Sequence, residues 1–118
     1  MIKRYPTHCN DATCASCVQA GDFIYLSHHA GGFDKNDVAY QTRKTFESME
    51  KTLSQAGASL KDIVQINLYL KNIKDLRKAC DVFYDIFGSE APARMTTTTE
   101  FFEEKCLCMM DAVVYKNE

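Results

Sequence analysis

Nowhere in the 118 residues does a window approach the roughly 18 consecutive apolar residues of a membrane span. That absence excludes a transmembrane helix. The opening stretch, MIKRYPTHCND, has a basic pair in Lys3 and Arg4 but no apolar run behind it, so it lacks the form of a secretory signal. A cytoplasmic protein is the expectation. A basic stripe is also missing. The formal net charge is −2, the pI is about 5.9, and the Lys/Arg-rich stretch from Lys71 to Lys78 is interrupted by Asp75. A nucleic-acid partner held by phosphate neutralisation is therefore not expected. Low-complexity tracts and internal repeats are absent. So are HExxH, the P-loop pattern, GxGxxG and Gly-x-Ser-x-Gly, which leaves no motif for a zinc protease, a nucleotide site or a serine hydrolase.

What is present is an ordinary globular composition, 46% apolar and 25% charged, of a length that suits one domain over residues 1–118. Six cysteines in a reducing compartment read as free thiols. Two β-favouring runs, Cys17 to Ala20 and Phe23 to Ser27, flank Gly21-Asp22 and predict a hairpin. Ala30 to Asp34, with Gly31 and Gly32 adjacent, is a loop. Asn36 or Asp37 can cap the helix that follows. Val38, Thr42, Phe46, Met49, Leu53 and Ala56 recur at helical steps, and Gly57 suits the helix end. Ser59 and Asp62 have the form of a capping box. Ile63 to Leu70 is a strand, with Ile66, Leu68 and Leu70 on one face and Gln65, Asn67 and Tyr69 on the other. Asn72 offers a second N-cap. Leu76, Ala79, Cys80, Phe83, Ile86 and Phe87 form a second helical stripe closed by Gly88. Met95 to Thr99 and Cys106 to Tyr115 complete the chain as strands. The order β-β-α-β-α-β-β predicts an α+β fold, a mixed sheet with two helices on one face. The other face is left for a second copy of the chain.

Arg94 follows a short Pro-Ala step, and its planar guanidinium can grip a carboxylate through two parallel charge-assisted bonds. Alternatively it pairs with one of the many surface acids. Cys14 and Cys17 form a Cys-x-x-Cys pair near His8 and Cys9, open to structural, metal or redox readings. His28 and His29 are adjacent, so at most one can face a given pocket. Asp111, the one ionisable group of the last strand, is either a solvated edge residue or a base in a cleft.

Two stretches, QTRKTFESMEKTLSQAGASLKDIVQINLYLKNIKDL and FYDIFGSEAPAR, resemble the RidA family, also called YjgF or L-PSP. They carry its Gln-Thr-Arg helix start, its Ala-Gly-x-Ser-Leu-x-Asp turn and its Pro-Ala-Arg block, correctly spaced. The resemblance implies a chorismate-mutase-like fold and a homotrimer whose sheets form a central barrel with clefts between subunits. It implies that Arg94 binds the carboxylate of a small metabolite. It further implies hydrolysis of 2-imino and enamino acids to 2-keto acids and ammonia, without metal or organic cofactor. Gly31, Cys17, Cys80, Thr96, Met109 and Asp111 fall at or beside cleft positions. Several depart from the family pattern. Met109 stands where deaminating members place a water-activating glutamate, with Asp111 two residues on. Cys17 replaces a tyrosine, Cys80 an asparagine and Thr96 a cysteine, and Ser27-His28-His29 replaces Ser-Gly-Gln. Thiols beside Arg94 would be activated, which makes Cys17 or Cys80 a candidate reactive cysteine. Besides a deaminase, the resemblance admits a ligand-binding or protein-interaction member without catalysis, and the family's other label, ribonuclease and translation inhibitor.

Overall fold

The computed structural model describes residues 1–116. Its first strand, β1 (Ile2–Arg4), is not announced by the sequence pattern, because three exposed residues show no alternation. It pairs antiparallel with β2 (Cys17–Ala20). β2 and β3 (Phe23–His29) form the expected hairpin, with Ala20 opposite Phe23. Gly21 supplies the turn's positive φ of 62°.

Helix α1 (Val38–Gln55) starts at Asp37, whose Oδ1 accepts from the amides of Ala39 at 3.0 Å and Tyr40 at 3.3 Å. Gly57, at φ 74°, follows its end. The Asp62 carboxylate then accepts from the Ser59 amide at 3.0 Å, closing the expected capping turn before β4 (Ile63–Leu70). Asn72 caps a short 3-10 turn (Ile73–Asp75), not the second helix itself. That helix, α2 (Leu76–Phe87), carries the chain across to β5 (Ala93–Thr98), which runs parallel to β4. β5 begins two residues earlier than its threonine run suggests, because pairing starts at Gln65 and Ala93. Arg94 therefore lies within the strand. β6 (Cys108–Tyr115) begins two residues later than expected. Cys106 belongs to the preceding turn, its amide donating to the Glu103 carbonyl at 3.0 Å.

The sheet order is β1-β2-β3-β6-β4-β5, so β6 is central and β5 forms an edge. Both helices cover one face. Ile24, Leu26, Ile66, Leu68, Leu70, Met110, Ala112 and Val114 of the sheet are buried there against Phe46, Met49 and Leu53 of α1 and Ala79, Val82 and Phe83 of α2. The Phe46 ring meets Phe83 at 5.1 Å and Phe87 at 5.5 Å, both edge to face. Such a pair adds about 0.5–1.5 kcal/mol beyond its burial. The Gln-Thr-Arg start of α1 has structural work to do. The buried Gln41 amide donates to the carbonyls of Lys35 at 2.9 Å and Lys105 at 3.0 Å, and accepts from the Leu107 amide at 2.8 Å. It thereby pins the loop before β6 to α1. Arg43 bridges α1 to Asp85 of α2 at 2.6 Å. Among the described residues the opposite face of the sheet carries no helix, and it exposes Phe23, Tyr25, Met95 and Tyr115. No helix among the described residues is long and apolar enough to cross a membrane.

Candidate functional site

Register decides which side chains can meet. Alternate residues of a strand point to opposite faces, and directly paired residues point the same way. Arg94 pairs with Ile66, which is buried under the helices, so Arg94 lies on the helix side of the β5 edge. Asp111 pairs with Asn67 and Met109 with Tyr69, on the open face. The arginine and the acid of one chain are thus on opposite faces of a single sheet.

On the helix side, Arg94 Nε donates to Thr96 Oγ1 at 3.0 Å, and the guanidinium carbon lies 5.1 Å from the centre of the Phe83 ring. Neither Nη group makes a hydrogen bond, and Arg94 forms no ion pair among the described residues. The base of the fork is held while its tip is free, exposed at the sheet edge. The surface-ion-pair alternative finds no partner here. Cys80, half-buried, lies one turn before Phe83 on α2.

On the open face, a cavity of about 330 Å³ is lined by His28, Tyr69, Thr99, Glu100, Phe101, Phe102, Met109 and Asp111. Asp111 is no solvated edge residue, since it sits on the central strand. Its Oδ1 accepts from Asn67 Nδ2 at 2.8 Å and its Oδ2 from the Tyr69 hydroxyl at 2.9 Å. Burial, and then this bond to a carboxylate, push the Tyr69 pKa up. An ionised carboxylate has about four acceptor sites, so two remain for a ligand or water. Met109 beside it offers only a thioether. Neither Asn67 nor Tyr69 stood out in the sequence. The alternation of β4 places both on the open face, but nothing local says which strand lies alongside.

The remaining candidates lie elsewhere. Cys17 is 1% exposed in the core, where burial raises its thiol pKa, the opposite of the activation expected for a cleft cysteine. Gly31 packs on α1. A Cβ there would come within 3.3 Å of the Lys44 carbonyl oxygen, and the residue does not line the cavity. His8, Cys9, Cys14 and Cys17 do not converge as a metal site, and no such group of three is found among the described residues. His28 faces the cavity while His29, fully buried, turns the other way. His29 Nδ1 donates to the Ser27 carbonyl at 2.8 Å, which leaves Nε2 to accept from the Thr52 hydroxyl at 2.8 Å. The His8 ring stacks on it at 3.7 Å, 6° from parallel.

Thiol accessibility follows from this placement. Cys17, Cys106 and Cys108 are buried with raised pKa values, Cys106 to about 11, whereas Cys9 is exposed. Titrating the native protein with a chromogenic disulfide is expected to label Cys9 rapidly and those three only on unfolding. Fast labelling of Cys17 would contradict its burial.

The sequence model of the family described as Endoribonuclease L-PSP matches residues 12–115. A RutC family protein of Pyrococcus abyssi is 31% identical, the match covering 86% of this chain and 85% of that one. A protein of Dermatophagoides farinae named 2-iminobutanoate/2-iminopropanoate deaminase is 27% identical, with 70% and 69% covered. Among solved structures, a yjgF-family member from Streptococcus pyogenes superimposes with a TM-score of 0.89 at 26% identity, covering 99% of this chain and 98% of that one.

Proposed function

Because the chain belongs to the RidA/YjgF/L-PSP family, we propose that it binds a small carboxylate metabolite through Arg94 in a cleft between copies of itself, and there hydrolyses 2-imino and enamino acids to 2-keto acids and ammonia. The observation that carries this reading is the guanidinium itself, fixed by Thr96 and Phe83 and otherwise unengaged among the described residues. Four N–H donors of a planar fork then face outward at a sheet edge, the arrangement a carboxylate binds in bidentate fashion. Because the open-face cavity lies across the sheet from Arg94, the second half of the site must come from another copy, which the exposed Tyr25, Met95 and Tyr115 suit as a packing surface. A homotrimer in which the edge of one chain meets the open face of the next meets this requirement.

In such a cleft Arg94 fixes the substrate carboxylate, and with it the adjacent C=N carbon. An enamine first tautomerises to the imine. Water adds to the imine carbon, the nitrogen takes a proton, and the tetrahedral adduct expels ammonia to leave the keto acid. In this reading Asp111 accepts the proton of the attacking water; the acceptor sites that Asn67 and Tyr69 leave open support that role. A second reading, carboxylate binding without turnover, is favoured by Met109, which brings no proton acceptor to the cavity. An endoribonuclease would need its phosphates neutralised, and the cavity lining holds Glu100 and Asp111 but no lysine or arginine.

The test measures 2-oxobutanoate binding, and ammonia release from imines freshly generated by an amino-acid oxidase, for the parent and Arg94→Ala. Removing even one charge-assisted bond of about 1.5–3 kcal/mol should weaken binding about tenfold or more. Binding that ignores the substitution contradicts both readings. Binding without turnover selects the second.

A further inference from the structure

Between the N-terminal segment and the last two turns of α1 lies a second cavity of about 260 Å³. Ser16 forms its floor. The residue is 1% exposed, and its backbone is anchored on both sides. Its amide donates to the Tyr5 carbonyl at 3.2 Å, and its carbonyl accepts from the Ser27 amide at 3.1 Å. Among the described residues its Oγ has no hydrogen-bond partner beyond the weak thiol of adjacent Cys17. A buried hydroxyl left unbonded costs about 1–3 kcal/mol, and native proteins seldom keep one without use.

The wall opposite is one face of α1. Ser48, Lys51, Thr52 and Gln55 recur at helical spacing and all line the cavity. Thr52 gives its proton to His29, so its lone pairs remain. The Ser48 hydroxyl, the Lys51 ammonium and the Gln55 amide make no hydrogen bond or ion pair with other described residues. The His8 ring closes one side, held by its Nε2 donating to the His28 carbonyl at 3.0 Å. Among the described residues no acidic side chain lines this cavity, although the chain is acidic overall and the open-face cavity carries two carboxylates.

We propose that this cavity is a binding site for a small hydroxylated anion, with Lys51 neutralising the head group, Ser16 and Ser48 donating to its oxygens, and Gln55 and Thr52 meeting hydroxyls of its body. The anchored Ser16 supplies a fixed donor, and the flexible Lys51 supplies a point charge that reaches it from the rim. The volume exceeds that of a bare oxyanion and fits a three- or four-carbon body behind it. The site owes nothing to Arg94, so it stands or falls separately from the carboxylate clamp.

Inorganic phosphate, glycerophosphate and glycerate are the probes, each titrated into the full chain while amide resonances are followed by NMR. Saturable shifts at Ser16, Ser48 and Lys51 are expected for at least one. A response to the two phosphates alone assigns a phosphate head, and a response to glycerate assigns a carboxylate head. Lys51→Glu should weaken that binding about tenfold or more. Ser16→Ala should fold with an unchanged or higher Tm, since only the weak contact with the Cys17 thiol is lost, and should still bind less tightly. Arg94→Ala should leave this binding as it was. The proposal is overturned if no probe gives saturable shifts at these residues, or if binding survives Lys51→Glu undiminished.

Discussion

Met109→Glu is expected to raise imine hydrolysis about 100-fold or more, the low end of what a positioned general base contributes. The position lies on the open face of the central strand, directly across from Tyr69 and two residues from Asp111 on the same face. A carboxylate there would border a cavity already holding two acids, Glu100 and Asp111, and like charge together with partial burial would raise its proton affinity towards the range a base needs near neutral pH. The thioether now present cannot accept a proton, so the parent is left with Asp111, each of whose oxygens already accepts one hydrogen bond, from Asn67 or Tyr69, and is the weaker base for it. Met109→Gln keeps the length and polarity of glutamate without its basicity, and should show no gain. If glutamate and glutamine behave alike, position 109 does not face the reacting carbon, and the assignment of this cavity to the deaminating cleft fails.

The second large effect concerns stability. Burial, only partly offset by the bond to the Ser27 carbonyl and reinforced by His8 and His28, lowers the His29 pKa from 6.5 to about 4. Above about pH 6.5 the imidazole is neutral in both folded and unfolded chains. Between 6.5 and 4 the unfolded chain takes up a proton that the folded chain refuses, so stability falls as pH falls, by about 3 kcal/mol once the window is crossed. His8, stacked on the same ring and itself lowered by burial, acts in the same direction. His29→Gln retains a group that can donate to Ser27 and accept from Thr52 but does not titrate. Urea unfolding from pH 7 to pH 4 should therefore show a shallower loss in His29→Gln than in the parent. Parallel curves would mean that His29 is protonated, or solvated, in the native state.

Much of the scaffold was legible because its signals are local. The α1 stripe, its Asp37 cap and its Gly57 stop can each be read within a few residues, and the alternation of Ile66, Leu68 and Leu70 against Asn67 and Tyr69 assigns the faces of β4 correctly. β1 escaped notice because Ile2, Lys3 and Arg4 are ordered by pairing with β2 and by nothing in their own pattern. The site was less legible, for the same reason on a larger scale. Arg94 and Asp111 could each be picked out by residue type. That they stand on opposite faces depends on the register of β5 and β6 against β4, which is a long-range property. The family resemblance puts Cys17 at a cleft position, yet it pairs with Leu26 and shares its burial under the helices. The Gln41 staple, which joins α1 to the loop that supplies Phe101 and Phe102 to the cavity, spans more than sixty positions and leaves no local trace.

The central claim is that Arg94 of one chain and the open-face cavity of another hold a small carboxylate between them. A crystal structure with 2-oxobutanoate tests it most directly. The account predicts the ligand carboxylate within about 3 Å of both Nη atoms of Arg94, with Met109 and Asp111 of a neighbouring copy enclosing its other end. A ligand bound without Arg94, or an Arg94 left in bulk solvent in an assembly that brings no second copy near it, would contradict the account.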